Sequence, residues 1–449
     1  MENGLEKKYG LPTAICMVVG IVIGSGVFFK AEAVLVQTGG NMPLGILAWL
    51  IVGAIMIVCS YVFATMATRY EKVNGVVDYA EATVGKRYAY LMGWFMGTIY
   101  TPALTSVLAW VSARYFSVLV GWDITGGSCL VLACFFLCAD YALNALSPRI
   151  AGKFQVSTTV IKMVPLLLMG VVGVVVGLLN GQMAQNFATV SAATVSSGEG
   201  LMKATVAVAF AYEGWVLATS INAELKDAKR NLPRALVLGS FVVVITYILY
   251  YIGLNGAVTT EELMASGQAA AKMAYQRVFG EAAGTVVFVL IVISCLGTLN
   301  GLMLANCRCF YALAARGQGP KPEMFRQVDP VTNMPNNSAI LSLLFAAFWL
   351  LYFYGANLTA GWFGPFSFDS SELPIITLYG MYIAMFIQFM RKEQTLGAFK
   401  RFVMPALGLG GCGFMVYAAF AGYGIKVFYY LVVYAVFMLV GNFFYRKNA

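Results

Sequence analysis

Apolar runs of about twenty residues recur from one end of this chain to the other. The short stretches between them hold nearly all the charge. A helix that crosses a membrane needs about 20 predominantly apolar residues. By that measure the pattern predicts an all-α membrane protein with twelve transmembrane helices. They fall at 11–36, 43–68, 88–117, 125–147, 155–179, 200–222, 234–257, 281–314, 337–355, 371–390, 402–423 and 425–445. Two of the twelve are interrupted. The first contains Gly20-Ile21-Val22-Ile23-Gly24-Ser25-Gly26-Val27-Phe28. Each glycine there weakens a helix by about 1 kcal/mol relative to alanine. A backbone opened within lipid is tolerated only where protein or a water-filled cavity covers it. The Gly24-Ser25-Gly26 stretch therefore predicts an opened helix, with a second half starting near Val27 and presenting free N–H groups and a positive dipole end. Such an end suits a carboxylate. The structural alternative is a small-residue packing face, because Gly20-x-x-x-Gly24 is also a common helix-contact pattern in membranes.

The sixth span repeats the oddity. It reads Phe210-Ala211-Tyr212-Glu213-Gly214-Trp215, with a charge and a glycine inside an apolar run. Matching interruptions in two halves of a chain point to a transport site between inverted repeats. The two interrupted spans are five apart. Five is odd, so the second unit enters from the opposite side. The expected organisation is an N-terminal segment 1–10, a first repeat 11–180, an outer loop 181–199, a second repeat 200–390, and two added spans within 391–449. The half-helix before the sixth break ends in carbonyls near Phe210 and Ala211, a negative dipole end that suits an ammonium. One end for a carboxylate and one for an amine describe a free α-amino acid and leave its side chain open.

Composition agrees with the spans. The 449 residues are 60% hydrophobic and 11% charged, against about 25% charged in soluble domains. The first run is too long for a signal-peptide core. The net charge of +9 is dispersed among loops and does not suggest a nucleic-acid partner. Of the 29 Lys and Arg residues, Lys30 and Lys162 lie within spans. Only Arg114, Lys203, Lys272, Arg277 and Lys426 fall outside if the N-terminus is inside. That bias predicts a multi-pass protein of the cell membrane with both termini cytoplasmic. The nine cysteines sit in or beside apolar stretches and suggest free thiols. Histidine is absent, which removes the usual proton shuttle and the commonest metal ligand. No cofactor is expected.

Several motifs occur together and in order. They are Gly24-Ser25-Gly26-Val27-Phe28, then Phe210 to Trp215, then Glu224 ahead of Arg230-Asn231-Leu232-Pro233-Arg234-Ala235, then Asn300-Gly301 with Arg308 and Tyr311. Together they resemble the L-amino acid transporter branch of the amino acid–polyamine–organocation superfamily, over essentially the whole chain. The resemblance implies a LeuT-like fold of 5+5 inverted repeats with broken helices 1 and 6. It implies exchange of amino acids by alternating access. It also implies that the N–H groups of Ser25, Gly26 and Val27 bind the carboxylate, and that the carbonyls of Val22, Phe210 and Glu213 bind the amine. Phe210 becomes a gate above the substrate. Animal members pair with a glycoprotein through a cysteine between the third and fourth spans. The loop from Val120 to Thr125 has none, so no disulfide-linked heavy chain is expected.

Two charged residues within spans carry the coupling and selectivity questions. Burying Lys162 at mid-membrane costs at least about 2.5 kcal/mol. Some eight residues, about 12 Å of helix, separate it from the nearer end, which is too far for its stem to reach water. In a structural reading it is a pin that donates to carbonyls freed by the first break. In a functional reading it stands where sodium sits in sodium-coupled relatives, as the resemblance implies, and ties the broken helix to the fifth span. A further reading has desolvation let it shed a proton. Glu213 either faces the substrate, where it could pair with a cationic side chain or a polyamine, or points away and braces the broken helix.

Other signals are weaker. Tyr212 and Trp215 can line a cavity or simply pack. Gly408-x-Gly410-x-x-Gly413 lies inside a span with no preceding strand and reads as helix packing. Cys307-x-Cys309 lacks partner ligands for a metal. Asp140 and Asn144 read as polar contacts between helices.

The expected function is a sodium-independent exchanger of neutral L-amino acids, with cationic ones left open by Glu213. The alternatives within transport are an amino acid/amine antiporter and a proton-coupled symporter. An intramembrane enzyme needs a nucleophile–base pair or metal cluster, and no convincing set is present. A channel needs a continuous ring of filter groups, whereas two inverted breaks suit an occluding carrier.

Overall fold

The structure is a computed structural model that describes residues 10–70, 75–188, 197–216, 225–332, 334–358 and 361–448. Glu224, named above, lies outside the described residues. Among those described, regular structure is helical throughout. Ten helices are long and apolar enough to cross a membrane, and each coincides with one of the twelve expected spans.

The helices that matter for the site are few. The first expected span is two helices, α1 (Leu11–Val22) and α2 (Gly26–Gln37). They are followed by α3 (Met42–Arg69) and α4 (Lys86–Val120). Next come α5 (Gly127–Leu146), α6 (Arg149–Leu179) and α7 (Ser197–Ala211). The second part of the chain supplies α8 (Ala228–Ala257), α9 (Glu281–Ala314) and α10 (Asn336–Leu358). It ends with α11 (Leu373–Lys392), α12 (Phe399–Tyr423) and α13 (Ile425–Asn448).

Small residues set how closely these helices approach. Gly173 and Gly177 of α6 face Gly253 and Gly256 of α8, and a Cβ on Gly253 would lie 2.1 Å from the Met169 carbonyl oxygen. Lipid tails are as apolar as leucine, so membrane helices associate through such close packing rather than through a hydrophobic drive. Polar side chains add specific ties. Asn144 of α5 donates to Asn300 of α9 at 3.0 Å, and Asn300 donates to Gln155 of α6 at 3.0 Å. The segment expected as a loop, 181–199, is partly helical, over Gln182–Ala188 and again from Ser197. The cause is a buried Asn186, whose amide donates to the carbonyls of Asn255 and Val258. That anchors the short helix on the end of α8.

Prolines shape two of the spans around the site. Pro102 has no N–H to give the carbonyl of Thr98, four residues earlier. The indole of Trp349 donates to that carbonyl at 2.9 Å. The backbone widens into a π-turn over Met96–Tyr100, within α4. Such turns mark functional sites often enough to be noticed. In α6, Pro165 follows Lys162, and the regular α-helix is interrupted at Lys162 itself.

Candidate substrate site

The chain leaves helical geometry at Ile23 and re-enters it at Gly26. In α2 the first N–H with a backbone partner is that of Phe29, which donates to Ser25 at 3.0 Å. Among the described residues, nothing accepts from the N–H groups of Gly26, Val27 and Phe28. They are the orphan donors of a helix start. On the other side, α7 ends at Ala211, and Gly214 follows with φ +100°, a conformation glycine adopts without strain. The residues 217–224 after it lie outside the described set.

The two ends meet. A Cβ added to Gly26 would lie 2.7 Å from the Cα of Ala211. The same test places Gly20 2.4 Å from Thr159 of α6, and Gly24 2.7 Å from Thr298 of α9. Both readings of the glycines therefore hold at once. Their missing side chains let α6, α7 and α9 close on the segment, and the segment is opened where they close.

A cavity of about 390 Å³ lies at this junction. Val22, Gly24, Gly26, Phe210, Ala211 and Glu213 line it, together with Tyr100, Gln155, Thr298 and Arg308. It extends from the break to Arg308, whose side chain is exposed. Four of these polar residues were given no site role from the sequence. For Tyr100 the available signal was Pro102, which displaces the backbone beside it.

The carbonyls expected to bind an amine are already partly used. The Tyr247 hydroxyl donates to Val22 at 3.0 Å, and the Glu213 N–H donates to Phe210 at 3.3 Å. A carbonyl oxygen has two lone pairs, so each keeps one for a ligand. The Glu213 side chain accepts from the Tyr100 hydroxyl and is only half-buried. The carboxylate therefore braces α4 and lines the cavity at the same time.

Other residues singled out from the sequence sit apart. Ser25 and Val27 are fully buried in the break and contribute no lining surface. Trp215 packs its ring on Phe63 and Tyr382, with centroids 5.4 and 6.0 Å away, and does not line this cavity. Lys162 lies behind α1, where its buried ammonium donates to the carbonyl of Gly20. That carbonyl belongs to the last turn of α1, whose dipole end carries partial negative charge.

On the side away from Arg308 the site is closed. Phe210 meets Phe29 edge-on at 5.9 Å, and the Lys30 ammonium sits 5.0 Å from the Phe210 ring centre. Lys30 pairs with Glu372, and both side chains are at most 5% exposed. Glu372 also accepts from the Tyr423 hydroxyl. Asp369 holds this corner by accepting from the N–H groups of Ser371 and Glu372 at 2.6 and 3.2 Å. Among the described residues no group of His, Cys, Asp or Glu is arranged to hold a metal ion.

The family model for amino acid permeases matches residues 9–443. The serine/threonine exchanger SteT of Bacillus subtilis is 29% identical over 423 residues, covering 92% of this chain and 91% of its own length. The b(0,+)-type amino acid transporter 1 of Mus musculus is 29% identical over 338 residues, covering 74% of this chain and 68% of that protein. Among solved structures, MhsT in complex with L-phenylalanine aligns with a TM-score of 0.59 at 15% identity. That alignment covers 95% of this chain and 99% of MhsT, and it shows a shared LeuT-type fold.

Proposed function

The chain belongs to the amino acid permease family, as a bacterial-type member of its L-amino acid transporter branch, and we propose that it exchanges L-amino acids across the cell membrane without sodium. It is an amino acid transporter and not an enzyme. The observation that carries the exchange reading is the pairing at the break. Three N–H groups at the start of α2, unpartnered among the described residues, stand against the carbonyl end of α7, with Gly26 in contact with Ala211. In this reading Ser25, Gly26 and Val27 take the substrate carboxylate. Val22, Phe210 and Ala211, with the carbonyl of Glu213, take the amine. Lys162 supplies a fixed positive charge behind α1 and removes the need for a sodium ion. SteT, named a serine/threonine exchanger, supports small neutral substrates and exchange.

The same proposal takes the chain as twelve spans. Two inverted repeats, 11–180 and 200–390, meet at broken helices 1 and 6, and two spans follow. The basic bias puts both termini, and Arg308, on the cytoplasmic side. The cavity then opens inward, and the Lys30–Glu372 pair with Phe210 closes the outer path. The protein works without a disulfide-linked heavy chain. A second reading is favoured by one observation: the half-buried Glu213 faces the cavity. It admits cationic amino acids, or an amine in exchange for one.

The test is uptake of labelled serine and alanine into proteoliposomes. Uptake is expected to require internal amino acid and to be equal in sodium and choline buffers. Uptake into empty vesicles driven by a proton gradient would overturn exchange. Arginine, lysine, putrescine and agmatine serve as competitors. Glu213→Gln is expected to weaken any competition by cations while leaving serine exchange in place. Unchanged competition would remove Glu213 as a selectivity element.

A further inference from the structure

A second cavity, which shares no lining residue with the first, lies at the C-terminal end of α3 and the start of α8. It measures about 510 Å³, and its lining includes Tyr61 and Thr65 of α3, Lys229, Arg230 and Arg234 of α8, and Lys400 of α12. Four of its lining residues are cations, and none is an acid. Arg230, Arg234 and Lys400 are exposed, and their side chains make no hydrogen bond or ion pair among the described residues. The nearest acids along the chain are Asp227, which precedes α8, and Glu224, which lies outside the described residues.

Two apolar stripes run from this cavity along the outside of the molecule. On α8, Leu238, Phe241, Val242 and Ile245 are 41–56% exposed at a spacing of three, four and seven residues, which is one helix face. On α12, Phe399, Phe402, Val403 and Leu407 form a similar exposed face. Tyr61 stands between the two helices, with its ring 6.0 Å from that of Phe399. Exposed apolar faces of this kind are surfaces for lipid tails. A pocket of cations between spanning helices at the membrane edge suits a phosphate-bearing headgroup.

We infer that this pocket binds an anionic phospholipid, with its phosphodiester among Arg230, Arg234 and Lys400 and its acyl chains along the α8 and α12 stripes. Charge, position and shape each select the occupant. The cations select an anion, and the flanking apolar faces select one that carries tails. The orientation proposed above puts this lipid in the cytoplasmic leaflet. The binding itself needs no assignment of substrate. Its consequence is mechanical: one lipid bridges α3, α8 and α12, and α8 follows directly after the chain segment that leaves the α7 end of the substrate site.

The experiment uses the purified full-length protein in mild detergent. Native mass spectrometry counts bound phosphatidylglycerol against phosphatidylcholine, and thermal unfolding is read in parallel. Wild type is expected to prefer phosphatidylglycerol in both readouts. Arg234→Gln/Lys400→Gln is expected to lose about fivefold of that preference per charge removed. Lys153→Gln/Arg391→Gln removes two exposed charges elsewhere on the same side and is expected to keep the wild-type preference. If the first double variant does not fold, Lys400→Gln alone, at an exposed position, gives the same readout. Three results would overturn the inference: no lipid preference in wild type, equal loss in the control variant, or full preference in Lys400→Gln. Inorganic phosphate and glycerol 3-phosphate form a separate arm. Displacement of bound lipid by millimolar phosphate would make this a free-phosphate site and overturn the lipid assignment.

Discussion

The two sides of the break in the first span solve the problem of buried charge differently. On the Glu372 side, Lys30 is matched by a full carboxylate, a tyrosine hydroxyl stands behind that carboxylate, and two aromatic rings complete the seal. On the α1 side, the described partner of the Lys162 ammonium is a single carbonyl at a helix end. Between them lie N–H groups with no partner among the described residues. The contrast separates a closed end from an open one. A seal requires every charge to be satisfied within the protein, because a lone charge in a low-dielectric setting costs several kcal/mol. A site that takes and releases a charged substrate must leave donors unsatisfied until the substrate arrives.

The sharpest break of that contrast is Lys30→Met. It leaves Glu372 buried without its cation, and a loss of about 3–5 kcal/mol is expected. Thermal unfolding in detergent measures it. Lys30→Met/Glu372→Gln should recover most of the loss, because removing both partners leaves no uncompensated charge. If the single and double variants melt together, the pair does not hold the seal.

Lys162→Met tests the other side. It strips the Gly20 carbonyl of its donor, which costs about 1–3 kcal/mol in stability. Exchange is expected to fall well below the wild-type rate while the protein remains folded by size exclusion. Exchange at the wild-type rate would reduce Lys162 to a packing pin.

Gly26→Ala probes the junction itself. The added methyl meets the Ala211 backbone, which cannot rotate away, so overpacking of about 1–3 kcal/mol is expected. Substrate protection against thermal unfolding should disappear with it. Retained protection would mean the two breaks need not touch.

The smallest effect is expected at an exposed ion pair, as the counterpart of the buried one. Arg277 and Glu262 pair at 2.7 Å on the surface, with 47% and 39% of their side chains exposed. The Arg277 guanidinium, helped by the Thr259 N–H and hydroxyl, holds the Glu262 carboxyl down at about 2 from its ordinary 4.5. A depressed carboxyl contributes stability above about pH 4.5 and loses it as pH falls toward 2. Water screens this pair, so Arg277→Gln should cost less than about 1 kcal/mol at neutral pH. The difference from wild type should shrink further on acidification through that window. A cost near that of Lys30→Met would erase the distinction between buried and exposed pairs.

Much of the molecule was legible in the chain because membrane spans announce themselves by length and hydropathy. Ten helices fall where apolar runs predicted them. The break at Gly24-Ser25-Gly26 was readable because glycine and serine are costly there unless the backbone has a use for opening. In the sixth expected span α7 ends at Ala211, just ahead of Glu213 and Gly214. Less legible was what faces the cavity. Tyr100 reaches it through a π-turn made possible by Pro102 and by the Trp349 indole, which is distant in sequence. Trp215 shares the interrupted stretch yet turns into a ring cluster with Phe63 and Tyr382. Lys30 was visible only as a charge inside a span, because its partner lies 342 residues away.

From the chain alone came ten spans that the structure repeats, the opening at Gly24-Ser25-Gly26, and the polarity that each helix end must carry. These follow from local cost: the length needed to cross lipid, the weakness of glycine in a helix, and the fixed direction of the peptide dipole. Packing alone set which helices close on the break, that Glu213 meets the cavity, and that Lys30 is neutralised by Glu372. Those depend on groups that come together solely through packing, and no local rule of propensity or spacing encodes a contact between residues hundreds of positions apart.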